Sequence, residues 1–144
     1  ALLKDLLPIF ELKDIHFLDL QYESKKSVGQ TELEKEKLFK ENNIKIDDYE
    51  DVDKFADLDG LTALVSNCDI IVTSSNVTAH IAGALGKKTF LFVPFQRGKL
   101  WYWSEEEGVS LWYPSIKIFT AESSHGWGNV FEKIAGTIKK ELSL

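Results

Sequence analysis

The spacing of apolar and polar residues along the first third of the chain predicts alternating helices and short strands. Helix-compatible apolar spacing runs from Leu2 to Leu12, and the mostly apolar segment 15–20 predicts a buried strand. A charged amphipathic helix is expected from Thr31 to the pair Asn42-Asn43, and a brief alternating strand follows at 44–46. This part of the chain therefore predicts helix, strand, helix and strand in that order.

The rest of the chain continues the alternation. The β-branched segment 69–73 predicts a strand, Asn76 to Leu85 a helix that stops at Gly86, and 89–93 a buried strand. The remaining predicted elements are a helix around 61–65 with Asp57 or Asp59 as its cap, an aromatic-rich loop at 96–114, a strand at 115–119 and a closing helix at 129–142. Such alternation implies a parallel sheet with helices on both faces. We therefore predict an α/β fold, a Rossmann-like three-layer α/β/α domain with a mostly parallel sheet.

Composition and charge narrow the class of protein. With 144 residues, 44% of them hydrophobic, the chain can bury one core, so 1–144 is treated as a single domain. The net charge of −6 argues against a general attraction to nucleic acid. Cys68 is the only cysteine, which excludes an intrachain disulfide and fits a reducing, cytoplasmic compartment. No apolar run approaches the roughly 20 residues that a membrane span needs.

The turn Thr73-Ser74-Ser75-Asn76 is the strongest candidate for a ligand site. It joins a predicted buried strand to a predicted helix, and ligands settle at the carboxyl ends of strands in parallel sheets. The first turn of a helix offers N–H groups without partners and roughly half a positive charge. The turn could therefore stabilise a pyrophosphate without any basic side chain.

His80 lies four residues after Asn76, so the two share one face of the predicted helix, with Gly83 a further turn along. His80 can therefore face the same phosphate or sugar. The alternative is that Ser74, Ser75 and Asn76 are ordinary helix caps and that His80 is a core histidine bonded to a carbonyl. The spacing alone favours neither interpretation.

Large aromatic residues are concentrated at 101–103 and 112–113, joined by an acidic turn. Exposed rings of this kind can stack on a base or a sugar. Burial as satellite core at the edge of the sheet is the alternative, and for most of these rings it is favoured. Trp101, with Arg97 and Lys99 just upstream, is retained as a ligand candidate.

An ordered run of residues between 57 and 119 carries a family resemblance. Its matching parts are Asp57-Leu58, Thr62-Ala63-Leu64, the strand at 68–73, Thr78 to Lys88, Pro94, Trp101-Tyr102-Trp103, Ser110 to Pro114 and Phe119, and the most specific are Ala-His-Ile-Ala-Gly-Ala-Leu-Gly at 79–86 and Trp-Tyr-Pro at 112–114. In this order they resemble the heptosyltransferase-like (glycosyltransferase family 9-like) enzymes, especially the domains of this type that follow tetratricopeptide repeats in bacterial proteins.

The resemblance implies half of a GT-B fold, in which the C-terminal domain binds the nucleotide-sugar and transfer occurs in the cleft between two domains. It implies inverting, metal-independent transfer of a sugar to a glycan, lipopolysaccharide or protein, with a nucleotide-diphosphate-sugar as substrate and no cofactor. The candidate donor-binding residues are Thr73, Ser74, Ser75, Asn76, Thr78, His80, Gly83, Lys99 and Trp101.

The sequence departs from that family in two respects. Many heptosyltransferases carry an acidic residue followed by Ser or Thr where Ser75 and Asn76 stand, which leaves the donated sugar open. The acceptor domain and the first strand of the donor domain are expected before residue 1, so no catalytic residue is assigned and the fragment alone is expected to be inactive. The interdomain face left exposed is a candidate homodimer contact.

Other candidate sites are weaker. Asp57-Leu58-Asp59 has the Asp-x-Asp form of metal-dependent transferases, but a helix cap is the simpler role. A calcium-binding EF-hand would need ligands where Phe55 and Ser66 stand. His16 and His125 have no neighbours that suggest a metal site or triad and are treated as structural. The dinucleotide fingerprint and the P-loop are both missing from the sequence.

Two hypotheses from different classes follow. The leading one is the donor-binding domain of a bacterial glycosyltransferase. The competing one is a non-catalytic interaction module that keeps the glycosyltransferase scaffold. An open pocket at 73–80 lined by Trp101 or Lys99 would favour the enzyme, and a pocket plugged by aromatic side chains would favour the module.

Overall fold

The computed structural model describes residues 1–22, 29–95, 99–123, 126–127 and 129–143. The chain divides into two compact units, one comprising Ala1–Leu58 and Phe131–Leu144 and the other Asp59–Val130. Within the described residues, no helix combines the length and the apolar character that crossing a membrane requires.

The described residues of the first unit form three helices and two short strands. A 3-10 turn, Leu3–Leu6, leads into α1 (Leu7–Phe10). The elements that follow in this unit are β1 (Phe17–Leu18), α2 (Gln30–Asn42), β2 (Ile46–Asp47) and α5 (Val130–Leu142). The first residue of α5, Val130, is the last residue of the other unit. β1 and β2 pair in parallel as a two-stranded sheet. α2 ends because Asn43 adopts a left-handed conformation, φ 56°, in which its N–H bonds back to the last turn.

A cluster of charged side chains lies at the carboxyl ends of β1 and β2. Lys35, with a side chain only 10% exposed, contacts Asp19 at 2.7 Å, Glu32 at 2.8 Å and Asp48 at 3.2 Å. Lys54 adds a further ion pair with Asp48. Burial by itself would lower the pKa of Lys35, but its hydrogen bonds with Asp19 and Glu32 outweigh burial and raise that pKa. The cluster therefore joins both strand ends to α2 through charged groups.

Asp48 makes the stability of this unit dependent on pH. Burial would raise the pKa of its carboxyl, but hydrogen bonds from Lys54 and Lys35 outweigh burial and hold the pKa below its ordinary value of 3.8. A carboxyl with a lowered folded-state pKa contributes stability above its unfolded pKa and loses it as the pH falls through the folded value. We expect Asp48→Asn to cost up to about 1 kcal/mol at pH 7, because Asp48 is an exposed residue whose ion pairs are screened by solvent, and to weaken the acid-dependent loss of stability below about pH 4.

Urea denaturation across a series of pH values measures this effect. Asp51→Asn is a matched control, because Asp51 is exposed nearby on the same segment. An Asp48→Asn profile that coincides with that of Asp51→Asn at every pH would contradict the account.

The second unit is built on a five-stranded sheet. Its elements are α3 (Leu58–Asn67, which starts on the last residue of the first unit), β3 (Ile70–Thr73), α4 (Val77–Ala84), β4 (Lys88–Val93), a 3-10 turn at Trp101–Trp103, β5 (Glu105–Glu106), β6 (Val109–Ser110) and β7 (Ile116–Thr120). The strand order is β3-β4-β7-β6-β5. Ala79 of α4 packs against Leu91, Val93, Trp103, Ile116 and Ile118 in the core of the sheet. This core holds α4 against β4 and β7, and α4 also contacts β3.

The predicted Rossmann-like three-layer α/β/α domain with a mostly parallel sheet is wrong. β3–β4 and β4–β7 pair in parallel, but β7–β6 and β6–β5 pair antiparallel, and β1 and β2 form a separate sheet. The sheet is mixed because the segment expected to be a loop forms a hairpin that pairs with β7. Glu107 and Gly108 both have positive φ, 51° and 80°, which is the geometry of a tight hairpin turn. The structure therefore also gives no support to the expectation that this chain is half of a GT-B fold.

Candidate functional site

The turn after β3 is held by its own side chains. The Asn76 side-chain oxygen accepts the N–H of Ala79 at 3.2 Å, which makes Asn76 the N-cap of α4. The Thr73 hydroxyl lies 3.2 Å from that same oxygen and 3.2 Å from the carbonyl of Ser74. The capping role considered for Asn76 is confirmed, while Ser74 and Ser75 lie ahead of the cap.

The first two amides of α4 belong to residues that differ in exposure. Within the part of the chain that the structure describes, the N–H groups of Val77 and Thr78 have no acceptor. The Val77 side chain is exposed, whereas Thr78 is buried. The helix therefore has two backbone donors without a described acceptor, only one of them on an exposed residue, and the positive end of its dipole at the carboxyl end of β3.

His80 is surrounded by aromatic rings on the next turn of α4. Its imidazole stacks on Trp103, with ring centroids 5.0 Å apart and planes at 21°, and it also contacts Tyr102 at 5.4 Å. Its Nδ1 lies 3.2 Å from the hydroxyl of Tyr113. His80 is only partly buried. Its packing against aromatic rings fits the interpretation as a core histidine, and its partial exposure fits the interpretation as a ligand-facing residue.

Trp103 connects the turn to the aromatic segment. It is fully buried in the sheet core, and its indole Nε1–H donates to the Ser75 hydroxyl at 2.8 Å. The same ring stacks on His80. Two of the predicted donor-binding residues are therefore held by one tryptophan that was expected only to fill the core.

Gly83 lies against the ring of Tyr113. A Cβ built on Gly83 would stand 2.4 Å from Tyr113 Cγ, closer than real Cβ atoms approach any neighbour. Only glycine lets this ring reach the helix surface, and the contact brings the Tyr113 hydroxyl to His80. The structure thus provides a packing reason for Gly83, which was singled out as a donor-binding candidate.

Lys99 and Trp101 lie together at a separate depression. An open cavity of about 290 Å³ is lined by Lys99, Leu100, Trp101, Trp103 and Ser104. Trp101 is 78% exposed, and Lys99 pairs with Glu105 at 2.5 Å. None of the residues 73–80 lines this cavity. Arg97, the third residue of that candidate group, lies outside the described residues.

The other candidate chemistries have little geometric support. In the described ranges, no three His, Cys, Asp or Glu side chains come together as a metal site. Asp57 directly precedes α3 and Asp59 lies in its first turn. His16 is exposed and pairs with Asp47 at 2.5 Å, while His125 lies outside the described residues. Cys68 is half-buried, and burial raises the pKa of its thiol.

Sequence reasoning missed the roles of Trp103 and Tyr113 at this turn. The two residues are 28 and 33 positions from the partners they bond, Ser75 and His80. No local pattern reports contacts over such separations. The only available signal was the concentration of aromatic residues at 101–103 and 112–113.

Comparison with known proteins shows sequence similarity to a bacterial protein. The chain is similar to Protein FlbA of Caulobacter vibrioides, at 28% identity over 132 residues. The match covers 92% of this chain but 20% of FlbA, so the chain spans about a fifth of that relative's length. No sequence profile of a known protein family matches the chain, and no solved structure matches it significantly.

Proposed function

We propose that the chain binds a nucleotide-diphosphate-sugar and serves as the donor-binding part of a bacterial glycosyltransferase. The observation that carries the proposal is the pair of amides at Val77 and Thr78, which have no acceptor in the described part of the chain. In the sequence they come after Ser74 and Ser75, with the capping residue Asn76 between. Amide and hydroxyl donors at the positive end of a helix dipole suit a diphosphate.

The proposed chemistry is stabilisation of the leaving group. Negative charge grows on the diphosphate as the glycosidic bond breaks, and fixed donors lower the energy of that state more than that of the bound donor. The chain supplies no catalytic base in this proposal. The acceptor, a glycan, lipopolysaccharide or protein, would be held by a further domain. Transfer would need no metal or cofactor and would take place in the cytoplasm, where a lone thiol stays reduced.

Removal of the first helical amide tests the proposal. Val77 is the first residue of α4, where proline is compatible with the helix, and Asn76 before it is already extended, with φ −154° and ψ −177°. Val77→Pro therefore deletes one N–H and keeps the fold. We expect its affinity for UDP, GDP or ADP to fall about tenfold, because a hydrogen bond to a charged group is worth about 1.5 kcal/mol or more.

Calorimetric titration measures this change, and Val77→Ala is the matched control because it shortens the same side chain and keeps the amide. The control is expected to bind as the wild type does. Equal binding by the proline and alanine variants would place the diphosphate elsewhere. A folded wild-type chain that binds none of the three nucleotides at millimolar concentration would overturn the proposal.

A non-catalytic interaction module is the second candidate function, and one observation favours it. Tyr102, Trp103 and Tyr113 cover the Ser75 and His80 side chains that a donor would reach. Several large apolar side chains nearby are exposed instead: Leu100, Trp101, Leu111 and Trp112. Such a surface suits protein contact. The nucleotide titration separates the two functions, because the module needs no diphosphate.

A further inference from the structure

We propose that the cavity beside Trp101 is a binding site for a neutral saccharide, separate from the turn after β3. The cavity has a volume of about 290 Å³ and is lined by Lys99, Leu100, Trp101, Trp103 and Ser104. That volume is at the lower end of the range for small-molecule sites. No residue of the turn lines the cavity, so the site does not depend on a diphosphate at α4.

The exposed ring of Trp101 provides the apolar contact. Trp101 is 78% exposed, and it begins the 3-10 turn Trp101–Trp103. The Tyr102 ring packs against it at nearly a right angle, with ring centroids 5.7 Å apart. This contact supports the indole in one orientation and leaves most of its surface accessible. A sugar ring has hydroxyls at its rim and C–H groups on its faces, so one face can stack on an exposed indole.

Polar groups beside the ring can bond to hydroxyls. Lys99 Nζ pairs with a Glu105 carboxylate oxygen at 2.5 Å, and both side chains are partly buried. The Ser104 hydroxyl donates to the Trp101 carbonyl at 2.8 Å, so its oxygen can still accept. A sugar hydroxyl both donates and accepts. It can therefore bond to the ammonium, the carboxylate or the serine oxygen without breaking the ion pair.

The charge around the cavity disfavours ionic ligands. Glu105 neutralises Lys99, and the carboxylates of Glu106 and Glu107 are exposed two and three residues after Ser104. At that separation they lie within about one Debye length, roughly 10 Å, of the cavity wall. They therefore repel the phosphates of a nucleotide, and the Lys99 ammonium repels a cation that approaches the indole. These charges leave a neutral ligand as the one that fits.

Titration of the whole chain with maltotriose, cellotriose and triacetylchitotriose, followed by NMR, tests the proposal. The indole N–H signal of Trp101 is assigned by its loss in Trp101→Phe. We expect at least one of these neutral saccharides to shift that signal saturably at millimolar concentration. Trp101→Ala should weaken binding about tenfold, while Trp101→Phe keeps a stacking ring and should lose less. The Ser104 backbone amide signal follows binding in both variants.

Trp112→Ala is the matched control. Trp112 is 64% exposed in the same unit and does not line the cavity. The control should bind the saccharide as the wild type does. Equal losses of affinity in Trp112→Ala and Trp101→Ala would overturn the site, because binding would then follow exposed indole surface in general and not the cavity.

The remaining outcomes separate this site from the proposed function. A Trp101 signal that none of the three saccharides shifts overturns the saccharide site. So does a signal that UDP alone shifts, which would assign the cavity to a nucleotide, or one that changes only with protein concentration, which would assign it to protein contact. Saccharide binding at Trp101 by a chain that binds no UDP, GDP or ADP supports this site and overturns the proposed function.

Discussion

Replacement of Lys35 by methionine is expected to lower the free energy of unfolding by about 3 kcal/mol. The Lys35 ammonium contacts Asp19 and Asp48, and the Asp19 side chain is only 6% exposed. Without the lysine, the Asp19 carboxyl loses its cationic partner in a poorly solvated position, and breaking one side of a buried pair costs more than the ion pair itself contributes. Methionine preserves the apolar stem and the helix propensity, so the change isolates the charge. Urea denaturation measures the effect.

Lys37→Met in the same helix is the matched control. Lys37 is exposed and lies 3.8 Å from Glu41 in an i,i+4 ion pair, and such surface pairs contribute about 0.5 kcal/mol or less. The two lysines thus differ in burial and not in residue type or helix. Equal stabilities for the two variants would show that the buried cluster makes no special contribution.

Gly83→Ala is expected to destabilise the second unit by about 1 to 2 kcal/mol, although alanine is the better helix former. The added methyl would lie 2.4 Å from Tyr113 Cγ, so the tyrosine ring must move off the helix. Displacement of the ring separates its hydroxyl from His80 Nδ1. The overpacking cost exceeds the helix-propensity gain of about 1 kcal/mol. Thermal or urea unfolding measures the change in stability.

Gly136→Ala provides the comparison within α5. A Cβ on Gly136 meets nothing within 4 Å, so this change should stabilise by up to about 1 kcal/mol. In a Tyr113→Ala background the ring is absent, and Gly83→Ala should then behave like Gly136→Ala. A Gly83→Ala variant as stable as Gly136→Ala in the wild-type background would show that Tyr113 yields without cost.

Local elements could be predicted from the sequence where a residue's own chemistry decides them. α4 begins after Asn76 and the chain turns at Gly86, φ 67°, as expected from a capping amide and a glycine. β4 is buried at five consecutive positions after Lys88, in line with its continuous apolar run. Segment 96–114 was the main failure, because the Glu107-Gly108 turn lies among polar residues that suit a loop equally well.

The candidate site was likewise predictable only in its local part. The Thr73–Asn76 turn and the helix after it were predicted from neighbouring residues, since strand, cap and helix start are all local. The aromatic cover of His80 was not predictable, because residues such as Tyr113 come from the far side of a hairpin. The donor-binding roles of the nine residues remain predictions for the titrations described above.

By itself, the sequence determined the position of the strand, turn and helix that form the candidate diphosphate site, because backbone conformation and capping depend on adjacent residues. Only the tertiary structure decided that the five-stranded sheet is mixed and that Trp103 and Tyr113 lie against Ser75 and His80. Strand pairing and ring packing depend on residues far apart in the chain, and their energies come from contacts that no local pattern encodes.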